Sequence, residues 1–331
     1  MEWIAALMEG TAPAGAESRL GPEQFHCLLD EQPNHLFPRR YVRQLQAPEE
    51  RLVVNPDCHF ALDGSIPEGV HPELVSNFAS GDVVWVRDPV HERWAPFWLG
   101  ATLGSWLRGV QAGDEEPRDL PVQARRVLAA ARILVGENHQ EQRREWWSRT
   151  VAQSQEWVAR GYAPVGGLIS PFHVAALRRY YRYLVRTGRV RLGDDQSERR
   201  YVAHNESVTQ FFHHQLTKAV SDLVGERLKP SYVYFSSYLG GAELEKHLDR
   251  PQCEFSLTLQ LDYSPEPRRE TSWPLYLDVP GGKVTVYQGL GDALFYRGHQ
   301  IPHYRSPLRE GHVSSHIFFH YVREGFEGAL R

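Results

Sequence analysis

A chain of 331 residues with 41% hydrophobic and 24% charged side chains can bury a sizeable core as one large domain or two moderate ones, and its composition excludes disordered, collagen-like and membrane-embedded classes. A formal net charge of −4 gives no general attraction to nucleic acid, and no apolar run is long enough to span a bilayer. The opening MEWIAALMEGTAPAG lacks the features of a secretory signal, and Cys27, Cys58 and Cys253 are odd in number without C-x-x-C spacing, so a reducing, cytoplasmic setting is expected.

Residues 1–118 read as a mixed region in which Pro, Gly and charge break short apolar runs. One strand is expected within GDVVWVRDP (81–89). The aromatics of RWAPFWLGATLGSWLRG (93–109), namely Trp94, Phe97, Trp98 and Trp106, are expected to pack rather than bind, and GDEEPRDLP (113–121) reads as a linker. Residues 119–229 read as helical. From Val122 to Gly161 apolar residues recur at three- and four-residue spacing, and Glu137, Glu141, Glu145 and Glu156 balance the basic charge, which implies a solvated face. Ser170, Pro171 and Gly188 punctuate a second helix, and a third is expected from about Asn205 to Leu223. His213 and His214 are adjacent and so face differently, which suits ordinary helix residues better than joint ligands.

Residues 230–331 change to a period of two. SYVYFSSY (231–238), FSLTLQLDY (255–263), PLYLDV (274–279), KVTVYQ (283–288), DALFYRG (292–298) and HVSSHIFFHYV (312–322) read as strands of a sandwich or small barrel, with the helices covering one sheet. The expected class is α+β.

Within EKHLDRPQ (245–252), His247 and Asp249 are two apart and project to the same side of an extended chain. Two imidazoles and a carboxylate on one face of a metal leave the other positions open, the arrangement of non-haem iron(II) oxygenases. The third ligand is sought in GDALFYRGHQIPHYRSPL (291–308), which holds His299 and His303. His303 is preferred because it follows a proline where a strand can begin, whereas His299 sits in the turn marked by Gly298.

These pieces carry a family resemblance. Residues 231–322 resemble the double-stranded β-helix, or jelly roll, of the iron(II)/2-oxoglutarate dioxygenases, and within them the prolyl-hydroxylase-like branch. The matching elements are Tyr238-x8-His247-x-Asp249, GDALF (291–295), Pro302-His303 and a last strand ending in FFHYV. The resemblance implies His247, Asp249 and His303 as Fe(II) ligands and Tyr238 as a hydrogen-bond donor to 2-oxoglutarate. It also implies dioxygen as oxidant, and the intact Asp249 implies hydroxylation rather than halogenation. Taken without the resemblance, Tyr238 in its Tyr-rich strand is as readily a core tyrosine. His320 is expected to be packed or exposed rather than a ligand.

One departure concerns the far carboxylate of 2-oxoglutarate, for which the family supplies Arg or Lys roughly nine or ten residues after the distal histidine. Here that position is His312, with His316 four further on. Arg305, two beyond His303 and on the same face, is expected to take the role, assisted by His312 or His316. The polar face formed by Ser256, Thr258 and Gln260 is expected to line the interior near the cosubstrate. A free amino acid, a peptide or a natural-product intermediate would then be the substrate, with residues 1–118 a candidate recognition region. Two rivals are a cupin-like metalloenzyme that does not use 2-oxoglutarate and a non-catalytic jelly-roll binding module.

Overall fold

The computed structural model describes residues 23–30, 34–45, 51–61 and 63–330; the opening MEWIAALMEGTAPAG lies outside them. Strands β1 (Val53–Val54), β2 (Cys58–Ala61), β3 (Val83–Arg87) and β4 (Trp94–Trp98) precede helix α1 (Ala101–Leu107). VVWVR is buried at four successive positions, as a central strand must be, and β3 lies between β2 and β4 in a three-stranded antiparallel sheet. Phe97 and Trp98 are buried, and Trp98 Nε1 donates to the Ala79 carbonyl over 2.9 Å, while Trp94 and Trp106 keep part of their rings in solvent. Ring pairs Phe25–Trp98 and Phe78–Phe211 meet edge to face, so this region shares one core with later helices.

The stretch read as helical holds α2 (Val122–Ala130), α3 (His139–Ala159), α4 (Pro171–Arg186) and α5 (Ser207–Val224). It also holds β5 (Leu134–Val135), β6 (Tyr162–Val165), β7 (Arg191–Leu192) and β8 (Arg200–His204), which periodicity did not reveal. The run from Val122 breaks at Arg132, where φ is +60°, and the apolar residues that follow pair β5 with β1. Pro164 is tolerated in β6 because that strand lies at a sheet edge. Helix α4 follows its punctuation, with Ser170 at the N-cap, Pro171 first and Gly188 at φ +69° beyond the end. Helix α5 starts at Glu206, whose carboxylate accepts from the Val208 and Thr209 amides and suits the positive end of the helix dipole. It stops at Gly225 in the left-handed region. Among the described residues no helix is long and apolar enough to cross a membrane.

Two sheets follow, built from β9 (Leu228–Leu239), β10 (Leu244–His247), β11 (Phe255–Ser264), β12 (Leu275–Val279), β13 (Gly282–Val286), β14 (Ala293–Tyr296), β15 (His303–Arg305) and β16 (Val313–Arg323). One has seven strands in the order β6-β14-β11-β16-β9-β8-β7, the other four in the order β10-β15-β12-β13, and all pairs within them are antiparallel. Every link except the β12–β13 turn carries the chain from one sheet to the other. Consequently the end of β10 and the start of β15, far apart in sequence, are register neighbours. Helix α5 packs on β9 and β16 of the larger sheet, and α4 packs on β11.

The α4 contact rests on a buried ion cluster. Asp262 accepts from Arg178 Nε at 2.9 Å and from Arg182 Nε at 2.5 Å, and Arg178 Nη1 reaches the Leu36 carbonyl. Burial pushes the Asp262 carboxyl up, but the two guanidiniums outweigh it and hold the carboxyl below its ordinary range. A carboxyl depressed in the folded state stabilises the fold above its unfolded pKa and loses that contribution as pH falls through the folded value. Asp262→Asn is therefore expected to cost about 3 kcal/mol at neutral pH, because buried Arg178 loses its nearer carboxylate and half-buried Arg182 loses its ion pair. The gap from the parent should narrow only below about pH 4. Urea unfolding across pH 3–7 checks both the size and the direction.

Candidate metal centre and its cavity

The β10–β15 register places His247 opposite His303 with ring centroids 4.3 Å apart, and the turn after β10 swings Asp249 between them. Asp249 Oδ1 lies 3.6 Å from His247 Nε2 and 3.5 Å from His303 Nε2. One donor atom from each of the three lies within 4.8 Å of the others. The rear of each imidazole is tied back: His247 Nδ1 lies 2.8 Å from the Glu245 carbonyl and His303 Nδ1 lies 3.0 Å from the Ile301 carbonyl. A carbonyl can only accept, so Nδ1 carries the proton and the Nε2 lone pair faces Asp249, the tautomer a metal ligand needs. Asp249 is fixed likewise, its amide donating to the Gly298 carbonyl and its Oδ2 accepting from Ser256 Oγ at 2.8 Å.

Gly298 makes room for this. A Cβ there would lie 2.0 Å from Asp249 Oδ2 and 2.5 Å from Ser256 Oγ, a clash with the ligand itself. The electrostatics suit a cation. Burial pushes Asp249 up, yet the facing His247 and His303 hold it well below the carboxylate range. Burial pushes His247 down, yet the Asp249 carboxylate and the Glu245 carbonyl raise it on balance. Two oriented imidazole nitrogens and one carboxylate oxygen form a donor set that fits a divalent transition metal with further positions open.

The three side chains face a cavity of about 260 Å³. Tyr232, Tyr234 and Tyr238 of β9 with Phe318 of β16 form an aromatic wall, Leu244 and Leu275 an aliphatic one, and no described residue before Arg191 lines it. Behind Tyr238 lies a buried cluster of Trp273, Arg305 and His316. The Arg305 guanidinium stands 4.8 Å from the Trp273 ring centre, and its Nη1 donates to the Trp273 carbonyl at 2.7 Å. Arg305 Nη2 and His316 Nδ1 are buried without a hydrogen-bond partner. Burial lowers Arg305 to about 10 against the opposing pull of Tyr238, Tyr296 and Tyr263, so it stays cationic at neutral pH. Burial and then the Arg305 charge hold His316 far below its ordinary value, hence neutral.

Of the residues singled out from sequence, His247, Asp249 and His303 converge, and Tyr238 lines the cavity they face. Arg305 and His316 sit behind that wall. Thr258 Oγ1 lies 3.3 Å from the Tyr296 hydroxyl, and Gln260 donates to Ser314 and to the Asp262 and Ser315 carbonyls, so the polar face of β11 does point inward. His312 is placed differently. It precedes β16, is half-buried with Nδ1 2.9 Å from the Tyr263 hydroxyl, and does not line the cavity. His299 rests against the Glu254 carbonyl, outside the ligand group. His213 is buried with Nε2 2.7 Å from the His320 carbonyl, and His320 is buried with Nδ1 3.0 Å from Ser256 Oγ.

Arg200 escaped the sequence reading. It faces Tyr238 across the β8–β9 pair, is 2% exposed, and its Nη1 donates to the Tyr238 hydroxyl at 2.9 Å. The only signal was the short run RYVAH, too brief between a polar turn and a helix to mark a strand.

No protein-family model matches the sequence, and no curated protein matches it either. Solved structures do resemble it. A prolyl-4-hydroxylase from Pseudomonas putida is 17% identical over 53% of this chain and 98% of its own, with a TM-score of 0.42. An oxidoreductase of the 2OG-Fe(II) oxygenase family from Burkholderia pseudomallei is 17% identical over 56% and 93%, with a TM-score of 0.39. A prolyl hydroxylase from Trichoplax adhaerens, in complex with a hypoxia inducible factor peptide fragment, is 12% identical over 56% and 94%, with a TM-score of 0.45. These structural neighbours are iron(II)/2-oxoglutarate oxygenases, prolyl hydroxylases among them, the group that the motifs of this chain resemble.

Proposed function

We propose that this chain is an iron(II)- and 2-oxoglutarate-dependent oxygenase whose two sheets form a double-stranded β-helix and which hydroxylates an unactivated carbon. The observation that carries the reading is the convergence of His247 Nε2, Asp249 Oδ1 and His303 Nε2, each held from behind by a backbone carbonyl or by Ser256. Iron(II) with 2-oxoglutarate, when bound, supplies the activation of dioxygen for oxidising a carbon–hydrogen bond. The chain's part is to hold, orient and exclude. His247, Asp249 and His303 hold the metal; Ser256, the Glu245 carbonyl and the Ile301 carbonyl set the angles of those ligands.

Arg305 offers a partnerless guanidinium nitrogen for the far carboxylate of 2-oxoglutarate, with Tyr238 and His316 beside it. Thr258, through Tyr296, shapes the same wall. The aromatic and aliphatic side chains on one part of the lining and Arg191, Asp194, Gln196, Arg200 and Arg250 on another fit a compact body that has an apolar part and polar or charged groups, such as an amino acid, a peptide side chain or a small natural-product intermediate. Because the lining begins at Arg191 among the described residues, the turn between β7 and β8 reads that group, and the described part of residues 1–118 would meet only a substrate long enough to leave the cavity.

Anaerobic titration of the protein with iron(II) and then 2-oxoglutarate tests this. The expected result is a weak visible charge-transfer band in the parent that is absent from His247→Ala. Iron binding without a band would favour the cupin-like enzyme, a reading helped by β16, which carries no Lys or Arg before its last residue, Arg323. No iron binding at all would leave a non-catalytic module.

A further inference from the structure

We propose that Arg200 is a positioning residue that turns the Tyr238 hydroxyl hydrogen toward the cosubstrate and ties the turn at the cavity mouth to that bond. The inference rests on the oxygenase reading and goes beyond its ligand set.

A guanidinium has donors and no acceptor, so in its 2.9 Å contact with Arg200 Nη1 the Tyr238 oxygen must accept. The phenolic hydrogen is then directed away from Arg200. Tyr238 is 1% exposed, and among the described residues its hydroxyl meets no other hydrogen-bonding group. A buried donor with no acceptor costs about 1–3 kcal/mol, and an anionic oxygen supplied by a ligand removes that cost. Arg305 Nη2 and His316 Nδ1 lack partners too, and the His316 ring centre lies 6.0 Å from that of Tyr238.

The rest of Arg200 is committed to the mouth. Its Nε donates to Asp194 Oδ1 at 3.0 Å, and its Nη2 to Asp194 Oδ2 and to Gln196 Oε1 at 2.7 Å. Burial pushes Asp194 up, but hydrogen bonds from Arg200 and from the Tyr234 hydroxyl bring it down to about 2, so it remains an anion that grips the guanidinium. Four of the five N–H groups of Arg200 serve Asp194, Gln196 and Tyr238 in the fixed fork, which leaves one Nη1 hydrogen over on a side chain that borders the cavity. With four donors committed against one free, its influence on the cosubstrate passes mainly through Tyr238.

The test is a double-mutant cycle on the full chain loaded anaerobically with iron(II), reading the 2-oxoglutarate Kd from the visible band and the iron(II) Kd by chelator competition. Arg200→Met and Tyr238→Phe are each expected to weaken 2-oxoglutarate about tenfold. The double variant should also be about tenfold weaker rather than a hundredfold, and iron(II) affinity should be unchanged in all three. Arg200→Lys, which keeps a cationic donor, should recover part of the loss, and Arg200→Leu carries the test if Arg200→Met does not fold. An unchanged 2-oxoglutarate Kd in Arg200→Met, or in Arg200→Leu when that is the folded variant, overturns the proposal, even if thermal stability falls. Additive losses in the double variant also overturn it, since Arg200 would then touch the cosubstrate directly. A parent that binds iron(II) and forms no band defeats the oxygenase reading instead, and is distinguishable because it appears before any substitution.

Discussion

His303→Ala and Gly298→Ala are both expected to weaken iron(II) binding by at least about a hundredfold, beyond the 10- to 100-fold typical of losing a partner behind a metal ligand. Turnover should fall with the metal. The two substitutions reach the same result from opposite sides. His303→Ala removes a donor that is 2% exposed and aligned by the Ile301 carbonyl, which leaves His247 and Asp249 alone of the converging three. Gly298→Ala adds only a methyl group, but that methyl would sit 2.0 Å from Asp249 Oδ2, and the Asp249 amide is itself bonded to the Gly298 carbonyl. The carboxylate can leave only by giving up Ser256 and its place between the imidazoles. Chelator competition gives the affinity, and far-ultraviolet circular dichroism shows that the sheets persist. Iron(II) affinity within threefold of the parent in Gly298→Ala would mean that Asp249 is not held where a metal needs it.

Arg305→Gln is expected to weaken 2-oxoglutarate about a hundredfold while leaving iron(II) affinity near that of the parent, because a desolvated charge pair of this kind is worth about 2–5 kcal/mol when one side is truncated. Glutamine keeps a donor for the Trp273 carbonyl but offers no charge. His312→Ala is the contrasting variant. Its imidazole leans on the Tyr263 hydroxyl, half-buried and outside the cavity lining, so its removal should alter the 2-oxoglutarate Kd by about twofold or less. A large loss in His312→Ala with a small one in Arg305→Gln would return the carboxylate to the position that the family pattern suggests.

Legibility in the sequence follows the range of the interaction concerned. Six of the eight strands from Leu228 onward were readable because side chains alternate across a sheet, so FSLTLQLDY and HVSSHIFFHYV announce their faces without reference to anything distant, whereas the short β10 and β15 were not. The pair His247 and Asp249 was readable for the same reason, and Pro302 before His303 marked where a strand could start. Strands β6, β7 and β8 were not, since two to five residues of ordinary composition become strands only when a neighbour offers an edge, β14 to β6, β9 to β8 and β8 to β7. Arg200 was lost with β8, and the duties of Gly298 and Ser256 toward Asp249 concern residues that local spacing does not connect.

By itself, then, the sequence determined the period-two framework, the helix ends at Pro171 and Gly188, and the local pairing of a histidine with an aspartate, all consequences of backbone geometry within a few residues. Tertiary structure alone brought His303, which the sequence only favoured over His299, opposite His247, and it alone decided that Arg305 is buried while His312 stays near the surface and that Arg200 meets Tyr238. Those outcomes depend on a chain that passes repeatedly between two sheets, and register between distant strands is set by the packing of the whole core rather than by the residues that end up touching.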